Sequence, residues 1–191
     1  MGSVIANMSM SLDGFVEDAT GSALPLFGWV TGLEHEPGDE AAKASAELFR
    51  EATARVGALV CGRRLFDLTQ GWGGRHPTGA PVFVVTHTPP ADWPYPETFT
   101  FVTDGVASAI AQAQHTAGDR TVAVATADVT RQCLDLGLLD GIAVDLVPIL
   151  LGSGTPFFSG LADTPVRLGT PTVVEGAAVT HLHYRIEKAG R

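Results

Sequence analysis

Basic residues, cysteines and long apolar runs are all scarce in this chain, and each shortage removes a class of function. Only 12 Lys and Arg stand against 21 Asp and Glu, for a formal charge of −9 at pH 7, and Arg63-Arg64 is the only adjacent basic pair. Binding to nucleic acid or to an anionic membrane needs a dense basic surface, so neither partner is expected. The two cysteines, Cys61 and Cys133, lie in apolar stretches and form no CxxC pair. They provide neither a zinc ribbon nor a disulfide framework, which fits a reducing compartment. The stretch from Leu146 to Ala162 is uncharged but carries two prolines and three glycines, and is too short for a membrane span. The first fifteen residues have no basic segment and no continuous apolar core, so they do not read as a signal peptide, and Ala6 breaks the myristoylation pattern. A cytoplasmic location is expected.

Several catalytic signatures are missing too. There is no GxxxxGK[ST], GxSxG, HExxH or EF-hand loop. Gly152-Ser153-Gly154-Thr155-Pro156-Phe157 begins like a dinucleotide fingerprint, but Phe157 replaces the last glycine and no helix pattern follows.

What is present is a chain of 191 residues, 45% hydrophobic and 17% charged, with short β-rich runs alternating with helical patterns. That pattern predicts one α/β domain over residues 1–191. Val4–Met10 reads as a strand ended by Asp13-Gly14, and residues 17–37 as a long irregular loop whose Phe27 and Trp29 suit either a lid or a dimer contact. A helix follows over Asp39–Val56, with Ala41, Ala44, Leu48, Ala52 and Val56 at helical spacing and Gly57 as its stop. Strands are expected at Ala58–Cys61, Pro81–Thr86, Phe99–Val102, Thr121–Ala125 and Gly141–Leu150. Helices are expected at Gly105–Ala117 and Asp128–Leu136, and a closing hairpin from Val173–Glu175 and Val179–Ile186.

Three strand ends carry groups suited to a ligand, as open α/β sheets require. Gly62-Arg63-Arg64 joins a strand to a helix, where unpaired N–H groups and a guanidinium suit a phosphate; the alternative is a pair of solvated arginines after a turn. Thr86-His87-Thr88 offers two hydroxyls and an imidazole for a phosphate or ribose, provided that Arg63 lies beside them; otherwise they only begin a polar loop. Asp13 is either a general acid or substrate anchor, or half of an ordinary Asp-Gly turn. His181 and His183 leave one face of a strand and could supply two metal ligands, but no third is apparent, and a polar face on a late edge strand is the plainer explanation. No metal is expected.

The ordered series SLDGF, LVCGRRLFDL, GWGG, PVFVVTHTPP, DLVPILLGSGTPFF and THLHYRI resembles the dihydrofolate reductase-like family. Within that family it looks like the reductase domain of bacterial riboflavin-biosynthesis deaminase–reductases and their stand-alone relatives, and the likeness runs from Val4 to Ile186. The resemblance implies a central, mostly parallel sheet flanked by helices, with a C-terminal antiparallel hairpin, in a homodimer. It also implies NADPH-dependent reduction of a small molecule. Gly62 and Arg63 would then meet the cofactor phosphates, and Thr86 and His87 the adenosine ribose and its 2′-phosphate. Leu151 and Gly152 would lie on the nicotinamide and substrate side, and Asp13 in the loop over the substrate.

One departure bears on the cofactor. Where the family carries a Gly-Gly pair against the pyrophosphate, this chain reads Ala125-Thr126-Ala127-Asp128. Each Cβ adds bulk and penalises positive φ. Asp128 is expected to be the N-cap of the next helix, its carboxylate occupying the positive end that a phosphate would seek. At ~5 Å and an effective dielectric of about 20, two unit charges repel by roughly 3 kcal/mol, and Arg131 would offset part of this. The alternative function is therefore a cofactor-free binding module or pseudo-enzyme on the same fold.

Overall fold

The apolar runs become strands and the alanine-rich stretches become helices in the computed structural model, which describes residues 2–31 and 39–187. β1 (Val4–Ser11) and β2 (Phe15–Asp18) come first, then a 3-10 turn at Leu24–Leu26 and the single-turn helix α1 (Gly28–Thr31). α2 (Glu40–Arg55) runs straight into β3 (Val56–Gly62), followed by α3 (Arg63–Leu68), β4 (Val82–Val85) and β5 (Phe99–Val102). α4 (Val106–Ala117), β6 (Thr121–Val124) and α5 (Ala127–Asp135) come next. β7 (Gly141–Val147), β8 (Gly154–Pro156), β9 (Thr172–Gly176) and β10 (Val179–Arg185) complete the chain.

Packing divides the chain into two units. The first comprises the start of β1 and Thr53–Asp140. Its strands are all parallel, in the order β5-β4-β3-β6-β1. Parallel strands hide both faces, which is why β3 and β4 are near-continuous apolar runs with Ala58–Cys61 and Val82–Val84 buried. α4 covers β3 and β4 with Val106, Ala109, Ile110, Ala113 and Ala117, all buried at helical spacing. Full burial of a side chain such as Ile110 contributes about 1.5–3 kcal/mol. Pro89–Pro96 is irregular, as its prolines require, and it packs Trp93 edge-on against Phe66 at 4.7 Å and Phe99 at 5.2 Å. Asp140 ties off β1, accepting from the Val4 N–H and donating its own N–H to the Val4 carbonyl, both at 2.9 Å.

The second unit holds Asn7–Ala52 and the chain from Gly141 onward. Here the strand order is β1-β7-β10-β9, with β10 antiparallel to both its neighbours, and β2 and β8 pair separately as an antiparallel ribbon. The architecture is therefore α/β with mostly parallel strands, helices on them and an antiparallel closing hairpin. Among the described residues, no helix is long and apolar enough to cross a membrane.

Several boundaries differ from expectation for physical reasons. Gly57 does not stop a helix. It lies within β3, where an added Cβ would come 2.7 Å from Ala117 Cβ. The residue that α2 buries is not an alanine or leucine but Ser45. The stretch expected to be an irregular loop holds β2, the 3-10 turn and α1, while residues 32–38 lie outside the described residues. Trp29 is no exposed lid aromatic. It is buried with Leu26, Val147 and Val179, its indole N–H donating to Ser9 Oγ at 3.2 Å, whereas Phe27 is partly exposed. β7 ends before Pro148, so the strand never has to accommodate a missing donor.

Candidate active site

In the first unit the carboxyl ends of β3 and β4 bring two expected groups together. Gly62 is the N-cap of α3, with an extended backbone. Arg63, the first helical residue, donates from Nε to Asp67 Oδ1 at 2.8 Å and from Nη1 to the Thr88 carbonyl. Thr86 is buried, and its hydroxyl both accepts from the Thr88 N–H at 3.2 Å and donates to the Thr88 carbonyl at 3.1 Å. Arg63 therefore is adjacent to Thr86-His87-Thr88, the condition on which those residues count as one site. His87 is exposed beside them.

Ala125, Thr126 and Ala127 form the neighbouring corner. The Ala125 N–H donates to the Val60 carbonyl at 2.9 Å, which extends the β6–β3 ladder by one rung. Thr126 then takes φ 86°, ψ 140°. That is glycine territory, and a β-branched residue there is a strained exception. The chain thus keeps the backbone path of a glycine without the glycine. An added Cβ on Gly62 would stand 3.3 Å from Thr126 Oγ1, so the absence of a side chain at 62 is what leaves that hydroxyl room.

Asp128 is not the N-cap. Thr126 takes that position without capping through its side chain, α5 begins at Ala127, and Asp128 is the second helical residue. Its carboxylate turns along the helix, accepting from Arg131 Nη2 at 2.9 Å and Gln132 Nε2 at 2.7 Å. The carboxylate still lies in the first turn, at the helix's positive end, but its hydrogen bonds run to residues three and four further on rather than to the first N–H groups. Arg131 also holds Asp135 at 3.1 Å.

In the second unit Asp13 closes a clasp. Its Oδ1 accepts from Ser11 Oγ at 2.6 Å and the Leu151 N–H at 3.1 Å, and its Oδ2 from the Gly152 N–H at 2.7 Å. The Ser11 hydroxyl, foremost, and the two backbone donors hold this carboxyl below the ordinary carboxylate value of 3.8. At neutral pH it is an anion with no proton to give. Asp13 is placed to fix Leu151 and Gly152, which the sequence could not disclose from an Asp-Gly pair. Gly152 takes φ 73° in this turn, and the Leu151 side chain packs on the Leu26 and Trp29 cluster.

A buried polar relay escaped the sequence. His181 Nδ1 lies 2.7 Å from Asp145 Oδ1, and its Nε2 lies 2.9 Å from Ser45 Oγ. Both ring nitrogens are thus engaged by protein groups. His183, two residues on, is exposed, and β10 is an internal strand, so neither the metal pair nor the edge-strand face describes these histidines. Among the described residues no group of three His, Cys, Asp or Glu is placed to hold a metal ion. Ser, His and Asp in this order invite a hydrolytic role, but Ser45 is buried and a Cβ on Gly176 would come 1.9 Å from its Oγ, so no acyl group can reach it. The available signals were weak: Asp145 as the lone charge in GIAVDLV, and Ser45 in an alanine-rich helix.

A mostly parallel α/β sheet with ligand-type residues at its strand ends and a closing antiparallel hairpin defines the dihydrofolate reductase-like class of folds. Residues 2–179 match the RibD C-terminal domain, and the chain belongs to that family. It is similar to a putative riboflavin biosynthesis protein from Shewanella sp. PV-4, with 22% identity and a TM-score of 0.74 over 97% of this chain and 99% of that one. It also resembles the dihydrofolate reductase of Enterococcus faecalis complexed with NADP(H), at 14% identity and a TM-score of 0.59, covering 98% of each chain. Against the deaminase/reductase of Thermotoga maritima the identity is 15% and the TM-score 0.63, and this chain spans 56% of that protein's length. No curated protein matches the chain significantly.

Proposed function

We propose that this protein is an NADPH-dependent reductase of a small heterocyclic or carbonyl substrate, acting in the cytoplasm as a homodimer. Membership of the RibD C-terminal domain family supports the reductase class, and the fold shared with a dihydrofolate reductase that holds NADP(H) supports the cofactor. The observation that carries the reading is the corner at Thr126. Its backbone keeps positive φ, no side chain caps α5, and Asp128 is diverted to Arg131 and Gln132. The N–H groups of the first turn therefore have no side-chain cap, and Arg131 offsets the Asp128 carboxylate that shares the turn, so the residues present fit a pyrophosphate with that pairing kept.

When bound, the reduced nicotinamide supplies a hydride. The protein's part is placement and electrostatics. Gly62 and Arg63 would take the phosphates, with Thr86 and His87 toward the ribose and its 2′-phosphate, and Ala125, Thr126 and Ala127 along the bridge. Asp13, already ionised, acts as a positioning residue that holds Leu151 and Gly152, while water provides the proton that the product needs.

The competing pseudo-enzyme reading rests on the same Ala125-Thr126-Ala127-Asp128 segment. Calorimetric titration with NADPH separates the two. A dissociation constant in roughly the micromolar range supports the reductase. Absence of binding at millimolar NADPH, with binding gained by A125G/A127G/D128S, overturns it in favour of a chain that has lost the cofactor.

A further inference from the structure

Three contacts hold the Arg63 guanidinium in one orientation. Asp67 Oδ1 accepts from Nε at 2.8 Å, the Thr88 carbonyl accepts from Nη1, and the ring of buried Phe66 lies 6.0 Å from the guanidinium carbon. The Thr88 carbonyl is itself fixed, because it also accepts from the Thr86 hydroxyl at 3.1 Å. Among the described residues Nη2 has no partner. Donors for an anion are therefore left over at this strand end, but a carboxylate is bonded to the same guanidinium.

That carboxylate has capacity left over as well. Only Oδ1 of Asp67 is engaged, and among the described residues Oδ2 has no partner. Arg63 and Asp67 sit one turn apart on α3, the spacing at which helical side chains meet. Their chemistry selects opposite partners. A guanidinium favours a phosphate through its charge and forked N–H groups, whereas a carboxylate repels a phosphate and accepts from a ribose hydroxyl. In nucleotide sites an acid at the ribose 2′-position goes with NADH, and an arginine there goes with NADPH. This strand end carries both, already bonded to each other. The two side chains are 36% and 53% exposed, so the dielectric between them and a ligand is close to that of water. Against a phosphate of nearly two charges, a carboxylate ~6 Å away in water costs about tenfold in affinity.

We infer that Asp67 is a specificity-determining residue of the coenzyme site, which holds the preference for NADPH over NADH low so that the chain takes either. The inference rests on the function proposed above, which puts the 2′-phosphate toward Thr86 and His87, beside Arg63.

The test is calorimetric titration of the full chain with NADPH and with NADH, before and after Asp67→Asn. The native chain should bind the two coenzymes within about tenfold of each other. Asp67→Asn should tighten NADPH roughly tenfold and leave NADH unchanged or slightly weaker, so the ratio of the two constants rises by that factor. Asp67→Ser, which also removes the charge, should raise the ratio in the same way. A merely structural role would weaken both coenzymes together and leave the ratio alone. A native preference for NADPH beyond about a hundredfold overturns the inference. So does an unchanged ratio in the variants, including equal tightening of both coenzymes, which would assign the effect to the pyrophosphate that they share. Binding of both coenzymes with an unchanged ratio removes the role of Asp67 and leaves the reductase standing. Binding of neither at millimolar concentration removes the reductase, and the inference with it.

Discussion

His181 and Asp145 face each other across β10 and β7 as a register pair, with 2.7 Å between Nδ1 and Oδ1. Because Ser45 takes the other ring nitrogen, one imidazole joins α2 to two strands. Removing a partner leaves a buried polar atom unpaired, which costs about 1–3 kcal/mol. Asp145→Ala should lose that much in urea denaturation, and Ser45→Ala about 1 kcal/mol. A double-mutant cycle between Asp145 and His181 should show coupling well above the scatter of independent sites.

Gly176 makes room for that relay. A methyl group there would sit 1.9 Å from Ser45 Oγ and 2.8 Å from Val179 Cγ1. Gly176→Ala should destabilise by about 1–3 kcal/mol. Adding Ser45→Ala should restore only part of the loss, since the Val179 clash persists. Full restoration in thermal melts would show that the hydroxyl alone sets the constraint.

Thr126 offers the opposite experiment. Its φ of 86° is costly for a β-branched residue and free for glycine. Thr126→Gly should raise stability by about 1 kcal/mol even after the added freedom of the unfolded chain. NADPH affinity should stay the same or improve. A fall in melting temperature would mean that the threonine side chain contributes more than its backbone costs.

Acid should weaken the fold through His76. Burial lowers its pKa from 6.5 to about 4, and its Nδ1 is 2.8 Å from Thr78 Oγ1. Between those two values the unfolded chain binds the proton and the folded chain does not. Stability therefore rises with pH across that window and is lost as pH falls through it. His76→Gln should flatten the pH dependence of urea midpoints between about 6.5 and 4. An unchanged slope would assign the effect to other groups.

Both thiols should be inert in the native state. Burial pushes Cys61 and Cys133 up to about 12, so the reactive thiolate is negligible at pH 8. Ellman's reagent should count no thiols in native protein and two in denaturant.

The strands were legible because parallel strands buried on both faces must be written as unbroken apolar runs such as VGALVCG and VFVV. The adjacency of Arg63 to Thr86-His87-Thr88 stood in the sequence only as a condition, and the structure meets it because strand ends in such a sheet collect side by side. What stayed hidden depends on contacts distant in sequence. Asp13 meets Gly152 across 139 positions, and Ser45 meets His181 across 136. Trp29 looked like a loop aromatic because Gly and Pro around it suppress any period, yet tertiary burial decides its place. Asp128 was misassigned by two positions because a threonine accepted a backbone angle that threonine ordinarily avoids, starting α5 earlier.

Arg63 sets a trade rather than a vacancy. Its guanidinium already spans from Asp67 to the Thr88 carbonyl. An incoming anion would share this guanidinium with a resident carboxylate, so neutralising Asp67 would free Nε and tighten the grip on any anionic guest.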